Sequence, residues 1–463
     1  MQGNVRMAVS TNEKIRMENS DADKVNAENT DLPDDTDAIA DTGLRVRRNG
    51  IPDWKRGIML CILLHCMENR PCMALRICHI LFNTVGKLPP VFNELISLSS
   101  SGCEAIVLEV VNENEAATEA LVLPGIAIHR LIPGLRRLSS QQGRLLKLAR
   151  FIEYFARAFT FAMRQRCDVY VAHDLPAVLP GLLAARFKRR PLVYNAHELW
   201  SETNGMSAPF PGLWRLLERF YCPRVDAIIS LEANRARIYQ EEYGARALPV
   251  VVANCPPFRP LRRGNVLRAF LTAKQVHADV LVLYQGIFDA SRRLDRLVEA
   301  MRYLPESVAL IIMGRGSEEQ RSAIDAAIGD FGLEARVLFH PFVPYEQLTE
   351  VTTSADIGVL LYANDCRNNY YCAPNKLYEY LHAGLPVVTS NFPGLTAIVE
   401  TLELGACVNP DSPEDIARGI ALLLDGERRK EITNRAIALS AEKFHWGREF
   451  EKILTLYRSL KPA

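Results

Sequence analysis

The chain has 463 residues, of which 48% are hydrophobic and 24% are charged, and its formal net charge is +1. This length predicts two or three domains of ordinary globular composition, and a charge near zero argues against a nucleic-acid-binding protein. The eleven cysteines include no C-x-x-C pair and no Cys/His cluster at zinc spacing. We therefore predict no metal site and expect reduced thiols in a cytoplasmic protein.

The beginning of the chain differs from the rest. Residues 1–56 are polar, acidic in patches and without hydrophobic periodicity, which predicts disorder. The apolar run at 57–66 is too short for a transmembrane helix, and no clear signal-peptide cleavage site follows it. We therefore interpret residues 1–72 as a disordered or non-native N-terminal extension.

After this extension, strand patterns alternate with helix patterns. The strand, loop, helix and strand of residues 75–111 form the βαβ opening of a doubly wound domain. Two later strands end in titratable pairs, His173-Asp174 and His197-Glu198. Because the carboxyl ends of parallel strands form the ligand-binding edge of such a sheet, we expect His197, and either His173 or Asp174, to lie in a site.

Residues 129–166 carry nine arginine or lysine side chains and a single acidic one, Glu153. Leucine and phenylalanine residues recur between them, several at helical spacing. A basic amphipathic helix of this kind can lie on an anionic membrane surface, and we predict such a peripheral contact. The alternative is an ordinary domain helix with a solvated basic face.

A second domain begins with a buried strand at 280–286. Arg292 stands at the start of the helix that follows, where an arginine can join the helix dipole in binding phosphate. The next strand ends in Gly314-Arg315-Gly316, which lacks the G-x-G-x-x-G pattern of dinucleotide-binding folds. A phosphate-containing ligand is therefore expected here, but not a dinucleotide held by that motif.

The most informative segment is a loop, short helix and strand at 371–390. Pro374 suits a helix start and Gly384 stops the helix, and the free N–H groups of a helix start form an anion site. Lys376 and Glu379 can project from one face of its first turn. The ammonium suits a diphosphate, and the carboxylate suits the two hydroxyls of a ribose. Taken alone, the pair is equally compatible with a surface helix.

The residues from Pro374 to Gly384 resemble the nucleotide-sugar segment of retaining glycosyltransferases of the GT-B fold, glycosyltransferase family four. The resemblance covers about 75–460 and is strongest at 168–201 and 355–400. It implies an α/β fold in which two doubly wound Rossmann-like domains face each other across a cleft. The implied parts are an acceptor domain at 73–257, a nucleotide-sugar domain at 258–440 and a C-terminal helix at 441–463 that crosses back to the first domain.

The resemblance also implies roles for single residues. Lys376 and Arg292 are expected to bind the diphosphate, Glu379 the ribose, and His197 the transferred sugar. His197, Arg292 and Lys376 are thus the predicted catalytic residues. The predicted donor-binding residues are Gly286, Arg292, Gly314, Asn375, Lys376, Leu377 and Glu379.

This chain departs from the family pattern at two positions. Tyr371 stands where the family has the first of two glutamates, so the expected sugar-contacting carboxylate is absent. Ile287 stands where an arginine often follows the strand. Phe342 and Val343 are weaker candidates for contacts to the nucleotide base.

The resemblance implies a retaining, metal-independent glycosyltransferase that needs no cofactor. The expected donor is a UDP- or GDP-linked sugar, and the expected acceptor is a saccharide or a lipid-linked saccharide in surface-polysaccharide or glycolipid synthesis. The protein would be cytoplasmic, with peripheral contact to the inner face of the cell membrane and no nucleic-acid partner. Two alternatives remain open: a nucleotide-sugar epimerase of the same fold, and a non-catalytic partner protein with a decayed site.

Overall fold

The computed structural model describes residues 75–111, 123–132, 134, 144–203 and 211–461. The extension predicted at 1–72 lies outside these residues. Within them, the chain forms two sheets whose named strands are all parallel. The first sheet has the strand order β3-β2-β1-β4-β5-β6-β7, and its strands are β1 Arg76–Leu81, β2 Glu104–Val110, β3 Ile126–Leu131, β4 Val169–His173, β5 Leu192–Ala196, β6 Ala227–Ser230 and β7 Val250–Val251.

Helices cover both faces of the first sheet, as a doubly wound fold requires. The first five helices are α1 Pro89–Ser100, α2 Arg144–Arg164, α3 Leu175–Lys188, α4 Pro211–Tyr221 and α5 Ala233–Glu241. One core packs α2, α3 and α5 against the sheet, and the core on the other face contains α1. The strands are buried apolar runs because both of their faces are covered.

The second sheet has the strand order β10-β9-β8-β11-β12-β13. Its strands are β8 Val280–Phe288, β9 Val308–Gly316, β10 Val337–His340, β11 Ile357–Leu360, β12 Val387–Ser390 and β13 Gly405–Val408. The remaining helices are α6 Val266–Ala273, α7 Leu294–Ala300, α8 Glu318–Asp330, α9 Tyr345–Thr352, α10 Arg367–Tyr370, α11 Asn375–His382, α12 Pro393–Val399, α13 Pro413–Ala421, α14 Gly426–Glu442 and α15 Trp446–Leu460. This arrangement is the predicted α/β fold of two doubly wound domains.

The last helix, α15, packs on the first sheet instead of the second. Phe450, Ile453 and Tyr457 lie in the same core as α1. Trp446 Nε1 donates to Ser97 Oγ at 2.8 Å. The helix α15 therefore contributes side chains to the core of the first sheet domain.

The helix α2 is an integral part of the first domain. Its residues Tyr154, Ala158 and Ala162 are buried in the core, and Arg157 donates to Ile132 O and to Glu153. No helix within the described residues is both long and apolar enough to cross a membrane. Residue 133 and residues 135–143, which belong to the predicted basic segment, lie outside the described part of the chain.

Candidate active site

Three histidines form a hydrogen-bonded column in the first sheet. His79 lies on β1, His173 ends β4 and His197 follows β5. His79 Nδ1 lies 3.0 Å from His173 Nε2, and His173 Nδ1 lies 3.0 Å from His197 Nε2. Burial lowers the pKa of His79 to about 3 and that of His197 to about 4, and it holds the pKa of His173 well below its usual value. All three rings are therefore neutral at neutral pH.

The backbone of His197 is held from two sides. Its N–H donates to Asp174 Oδ1 at 3.1 Å, and its carbonyl accepts from Arg235 Nη1 at 3.2 Å. Asp174 itself has φ of 62°, a left-handed conformation that is unfavourable for a residue with a side chain. Burial, followed by the charge of Glu198, raises the pKa of Asp174 to about 7. The sequence left His173 and Asp174 as alternatives. In the structure, Asp174 orients the backbone of His197, and His173 orients the imidazole ring of His197.

Arg292 and Lys376 bring two cations to one end of the second sheet. The Arg292 guanidinium lies 4.0 Å above the Tyr362 ring and 3.4 Å from Asp289. Its Nη1 is buried and has no hydrogen-bond partner among the described residues. Burial lowers the pKa of Lys376; Glu379 opposes this shift, and the positive charge of Arg292 adds to it. The two cations are thus close enough to repel each other, and an anion between them would stabilise both.

Glu379 is oriented by Gln285, a residue that sequence analysis did not single out. Gln285 Nε2 donates to Glu379 Oε2 at 2.8 Å, and the Gln285 amide oxygen accepts from Thr352 Oγ1 at 2.8 Å. These two bonds fix the orientation of the amide. Burial raises the pKa of Glu379, whereas Lys376 and the Gln285 hydrogen bond lower it. The carboxylate therefore has a defined position before any ligand arrives.

Two of the predicted donor-binding glycines are explained by packing. A Cβ atom at Gly286, whose φ is 148°, would lie 2.4 Å from Lys376 Cε. A Cβ atom at Gly314 would lie 1.6 Å from Gly286 O. The glycine pair lets β8 and β9 remain paired as far as Phe288 and Gly316, further than the sequence pattern indicated. Gly286 also provides the space that the Lys376 side chain occupies.

The other predicted donor-binding residues occupy different surroundings. Asn375 is the first residue of α11 and Leu377 is buried in the core beneath it. Phe342 is half-exposed, with the Arg315 guanidinium 3.6 Å above its ring. Asn375 and Glu379 line a small pocket whose other lining residues are Pro89, Pro90, Asn93, Asn254, Cys255, Pro256 and Trp446. This pocket lies between the two sheet domains.

Arg235 of the first domain binds directly to the second domain. Besides His197 O, it donates to Tyr371 O at 2.6 Å and to Asn368 O at 2.9 Å. Burial raises the pKa of the Cys372 thiol to about 12, and the charges of both Arg235 and Arg292 oppose that shift. Arg235 thus joins the backbone of His197 to the segment that leads into α11, the helix that carries Lys376.

A weaker contact between the domains lies nearer to solvent. Arg367 donates to both carboxylate oxygens of Glu242, at 2.9 and 2.6 Å. Leu199 N donates to Asn368 Oδ1 at 2.9 Å. The segment that replaces the family's first glutamate by Tyr371 is therefore used to join the domains.

Among the described residues, one set of three potential metal ligands has donor atoms within 4.8 Å of one another: His79, Glu94 and His173. Several polar atoms of this set already have protein partners: His79 Nδ1 and His173 Nε2 are hydrogen-bonded to each other at 3.0 Å, and Glu94 Oε1 accepts from Tyr457 OH at 2.6 Å. His79 Nε2 has no hydrogen-bond partner among the described residues. We therefore describe the set as a hydrogen-bonded cluster.

Comparison with known families agrees with this geometry. The model of glycosyl transferases group 1 matches residues 270–439, and that of the glycosyl transferase 4-like domain matches residues 97–255. The two matches together cover most of both sheet domains. The chain is a glycosyltransferase, with a group 1 domain at 270–439 and a glycosyl transferase 4-like domain at 97–255. The prediction that it is an enzyme of the glycosyltransferase class is thereby confirmed.

Individual relatives of this glycosyltransferase are distant. A D-inositol 3-phosphate glycosyltransferase of Acidothermus cellulolyticus is 25% identical over 383 residues, covering 78% of this chain and 82% of the relative. A phosphatidyl-myo-inositol mannosyltransferase of Mycobacterium leprae is 27% identical over 192 residues, covering 39% of this chain and 46% of the relative.

Solved structures establish the fold of the glycosyltransferase. Anabaena HepE in complex with UDP and glucose has a TM-score of 0.64 at 18% identity and covers 83% of this chain and 100% of its own. The sucrose-phosphate synthase of Thermosynechococcus elongatus has a TM-score of 0.68 at 17% identity, and the match covers 83% of this chain and 99% of the synthase chain. The predicted fold of two facing Rossmann-like domains is confirmed.

Proposed function

We propose that this glycosyltransferase moves a sugar from a UDP- or GDP-linked donor to a saccharide or lipid-linked acceptor, with retention of configuration and without a metal ion or cofactor. The observation that carries this proposal is that Lys376 and Arg292 place two mutually repelling cations in one region, and that Arg292 Nη1 is buried with no hydrogen-bond partner in the described part of the chain. A buried cation with an unused donor favours an anionic ligand. HepE, which has the same fold, was solved in complex with UDP and glucose, and this supports a nucleotide-linked donor.

The two cations suit the leaving group of this reaction. Transfer breaks the bond between the sugar carbon and the diphosphate oxygen, and it forms a bond from that carbon to the acceptor oxygen. Negative charge then develops on the diphosphate, and fixed donors aimed at it lower the barrier. Nearby carboxylates already have protein partners: Asp289 accepts from Ser291 N and pairs with Arg292, and Glu379 accepts from Gln285. This arrangement supports charge stabilisation by Lys376 and Arg292 in place of a metal ion.

Other residues of the cleft complete the proposed site. Glu379 accepts hydrogen bonds from the ribose hydroxyls, Asn375 offers its backbone N–H at the start of α11, and His197 contacts the transferred sugar. The backbone N–H of Leu377 already donates to Pro374 O at 3.2 Å, so Leu377 supports this helix start by packing. With retention, the acceptor proton passes to a phosphate oxygen of the donor. The relatives named for inositol 3-phosphate and phosphatidyl-myo-inositol support a hydroxyl acceptor that carries phosphate.

The peripheral membrane contact is part of the proposal, and the structure favours a different surface from the one the sequence indicated. Phe187 at the end of α3 is 70% exposed, and Leu216 on α4 is 63% exposed. Arg186 donates to Arg224 O at 3.2 Å, which joins the end of α3 to the turn that follows α4. We call residues 186–190, the exposed side chains of α4 and Arg224 the α3–α4 surface. Its exposed basic residues are Arg186, Lys188, Arg189, Arg190, Arg215, Arg219 and Arg224.

Exposed apolar side chains ringed by arginine and lysine fit an anionic lipid surface. Co-sedimentation with vesicles of anionic or zwitterionic lipid tests this. We expect binding to anionic vesicles and its loss when Phe187 and Leu216 are both changed to serine. The control is Ile152→Ser on α2, which is 57% exposed and lies outside the α3–α4 surface. Loss of binding in the control alone would assign the contact to α2.

A panel of nucleotide sugars, tested with an acceptor mixture and a chelator, checks the central proposal. We expect transfer from one donor without added metal. Strict dependence on a divalent metal would contradict the proposal, and formation of an epimer without acceptor would favour an epimerase. Calorimetry with UDP and GDP gives a second measurement, because Glu379→Ala should weaken nucleotide binding. Unchanged affinity would remove the ribose assignment.

A further inference from the structure

The histidine column continues away from the cleft to a buried carboxyl group. His79 Nε2 is buried and has no hydrogen-bond partner among the described residues. Glu94 on α1 lies in the same cluster, with an oxygen within 4.8 Å of ring nitrogens of His79 and His173. Tyr457 on α15 donates to Glu94 Oε1 at 2.6 Å. A row of polar side chains thus runs from His197 through the first sheet to Glu94 on α1 and Tyr457 on α15.

Such a chain restricts the tautomers of its members. A neutral imidazole has one N–H donor and one acceptor nitrogen. In a row of N···N hydrogen bonds, each ring must donate in the same direction, because two lone pairs or two N–H groups cannot face each other. The tautomer at one end therefore determines the tautomer at the other.

The Glu94 end determines the direction. Burial raises the pKa of Glu94 to about 7, and the Tyr457 hydroxyl, which donates to Oε1, opposes that shift. Above this pKa the ionised carboxylate has acceptors only. His79 is favoured with Nε2 protonated, so that this N–H faces the carboxyl group directly or through one water. His79 Nδ1 then accepts from His173 Nε2–H, and His173 Nδ1 accepts from His197 Nε2–H. His197 Nδ1, which lies outside the chain, keeps its lone pair.

We propose that Glu94, His79 and His173 are positioning residues that fix His197 in the Nε2-protonated tautomer, with Nδ1 as a hydrogen-bond acceptor for a substrate hydroxyl. The inference rests on the proposed role of His197 in the transferase site. The burial of the three histidines supports this proposal. It lowers the pKa of each ring, so each imidazole is neutral and carries a single N–H proton. His197 then selects a ligand that donates at that position, such as a sugar hydroxyl.

The direct test is the nitrogen NMR spectrum of the full chain labelled with ¹⁵N-histidine, assigned with a His197→Gln variant. We expect His197 to show a protonated Nε2 and an unprotonated Nδ1. In Glu94→Gln the amide N–H₂ can donate toward His79, so the chain should reverse and His197 should carry its proton on Nδ1. The matched control is Glu109→Gln, which changes another buried glutamate, one bound to Val85 N and Arg130, and should leave the tautomer unchanged.

Kinetics give an independent measurement. Glu94→Gln should lower kcat/KM about tenfold, the effect of losing one well-placed hydrogen bond, while Glu109→Gln should not. If the glutamine variant does not fold, the wild-type spectrum still decides. Protonated Nδ1 or a mixture of tautomers at His197 overturns the proposal. One tightly bound divalent metal per purified chain overturns it as well, because the cluster would then be a metal centre.

The proposed function and the proposed His197 tautomer would be contradicted by different results. A fixed His197 tautomer in a protein that transfers no sugar would contradict the proposed function but would support the proposed row of hydrogen bonds from Glu94 to His197. A freely exchanging His197 tautomer in an active transferase would contradict only the proposed row of hydrogen bonds.

Discussion

The two sides of the cleft come from the same type of fold but differ in the charge of their polar side chains. On the first side, the three histidine rings are buried and neutral, since burial lowers the pKa of His197 to about 4, and burial raises the pKa of the Glu218 carboxyl on α4 to about 7. On the second sheet, Arg292 and Lys376 are cations held near one another. The first side can orient hydroxyl groups, whereas the second can accept the charge of a leaving group. A transferase of this kind needs both properties, and the structure separates them by domain.

The largest expected effect concerns the charged side. Changing Lys376 to methionine keeps most of the side-chain volume beside Gly286 but removes the ammonium. We expect kcat to fall by about 100- to 1000-fold, as for the loss of one transition-state donor, with little change in the melting temperature. Steady-state kinetics and thermal unfolding measure the two quantities.

The control for this change is Lys430→Met on α14, which removes an exposed ammonium far from the described site in sequence. It should leave kcat unchanged. A Lys376→Met enzyme within threefold of wild-type kcat would show that the ammonium does not stabilise the leaving group.

The second prediction concerns the contact that joins the two sides. Arg235 is buried and donates to His197 O, Asn368 O and Tyr371 O. Arg235→Met leaves these carbonyls without their donor, so the free energy of unfolding should fall by about 2–4 kcal/mol. The donor KM should rise because the cleft is less well ordered. Urea denaturation and donor titration measure the two effects.

The matched comparison is Arg367→Met, which breaks the exposed pair with Glu242. An exposed pair of this type contributes at most about 1 kcal/mol. Equal losses of stability in the two variants would mean that burial of Arg235 has no special importance at the domain contact.

These contacts also show which parts of the molecule the sequence could predict. The strands and the segment with Lys376 and Glu379 were predictable, because apolar runs and a helix start are local patterns. Arg235 and Gln285 were not, because their partners lie 136 and 94 residues away in the chain, at Tyr371 and Glu379. Gln285 did offer one hint, since it is a polar residue in the buried apolar run of β8, directly before Gly286.

His79 was missed for a related reason. It lies within β1, where a single polar residue in an apolar strand indicates nothing by itself. Its importance follows from the strand order, which places β1 beside β4 and brings His79 next to His173. The order of strands is a property of the whole fold, which local periodicity cannot supply.

The third prediction concerns the neutral side. Glu218 accepts from Ser201 and from Tyr194, and burial raises its pKa from about 4.5 to about 7. A raised folded-state pKa contributes stability below pH 4.5 that is lost as the pH rises through 7. This loss reaches about 3 kcal/mol in alkaline solution. Glu218→Gln should therefore be more stable than wild type at pH 8.5 and similar to it at pH 5.

Urea denaturation at the two pH values measures this difference, with Glu241→Gln as the control because that glutamate is exposed on α5. The control should follow the wild-type pH dependence. If Glu218→Gln also follows it, the carboxyl group is not protonated in the folded protein at neutral pH, and the neutral character of the first side would be limited to the histidines.

The smallest expected effect tests the geometry of the charged side without removing a charge. Gly286→Ala places a methyl group 2.4 Å from Lys376 Cε and adds a side chain where φ is 148°, so the lysine must move. We expect nucleotide affinity to fall about tenfold, because a displaced ammonium loses most of one charge-assisted hydrogen bond. Gly332→Ala is the control: its φ is 63°, but no atom lies within 4 Å of the added methyl group. Gly332→Ala should lower the melting temperature, because its backbone conformation is unfavourable for alanine, and should leave nucleotide binding unchanged. Equal losses of nucleotide affinity in Gly286→Ala and Gly332→Ala would mean that backbone strain, and not the position of Lys376, determines the affinity.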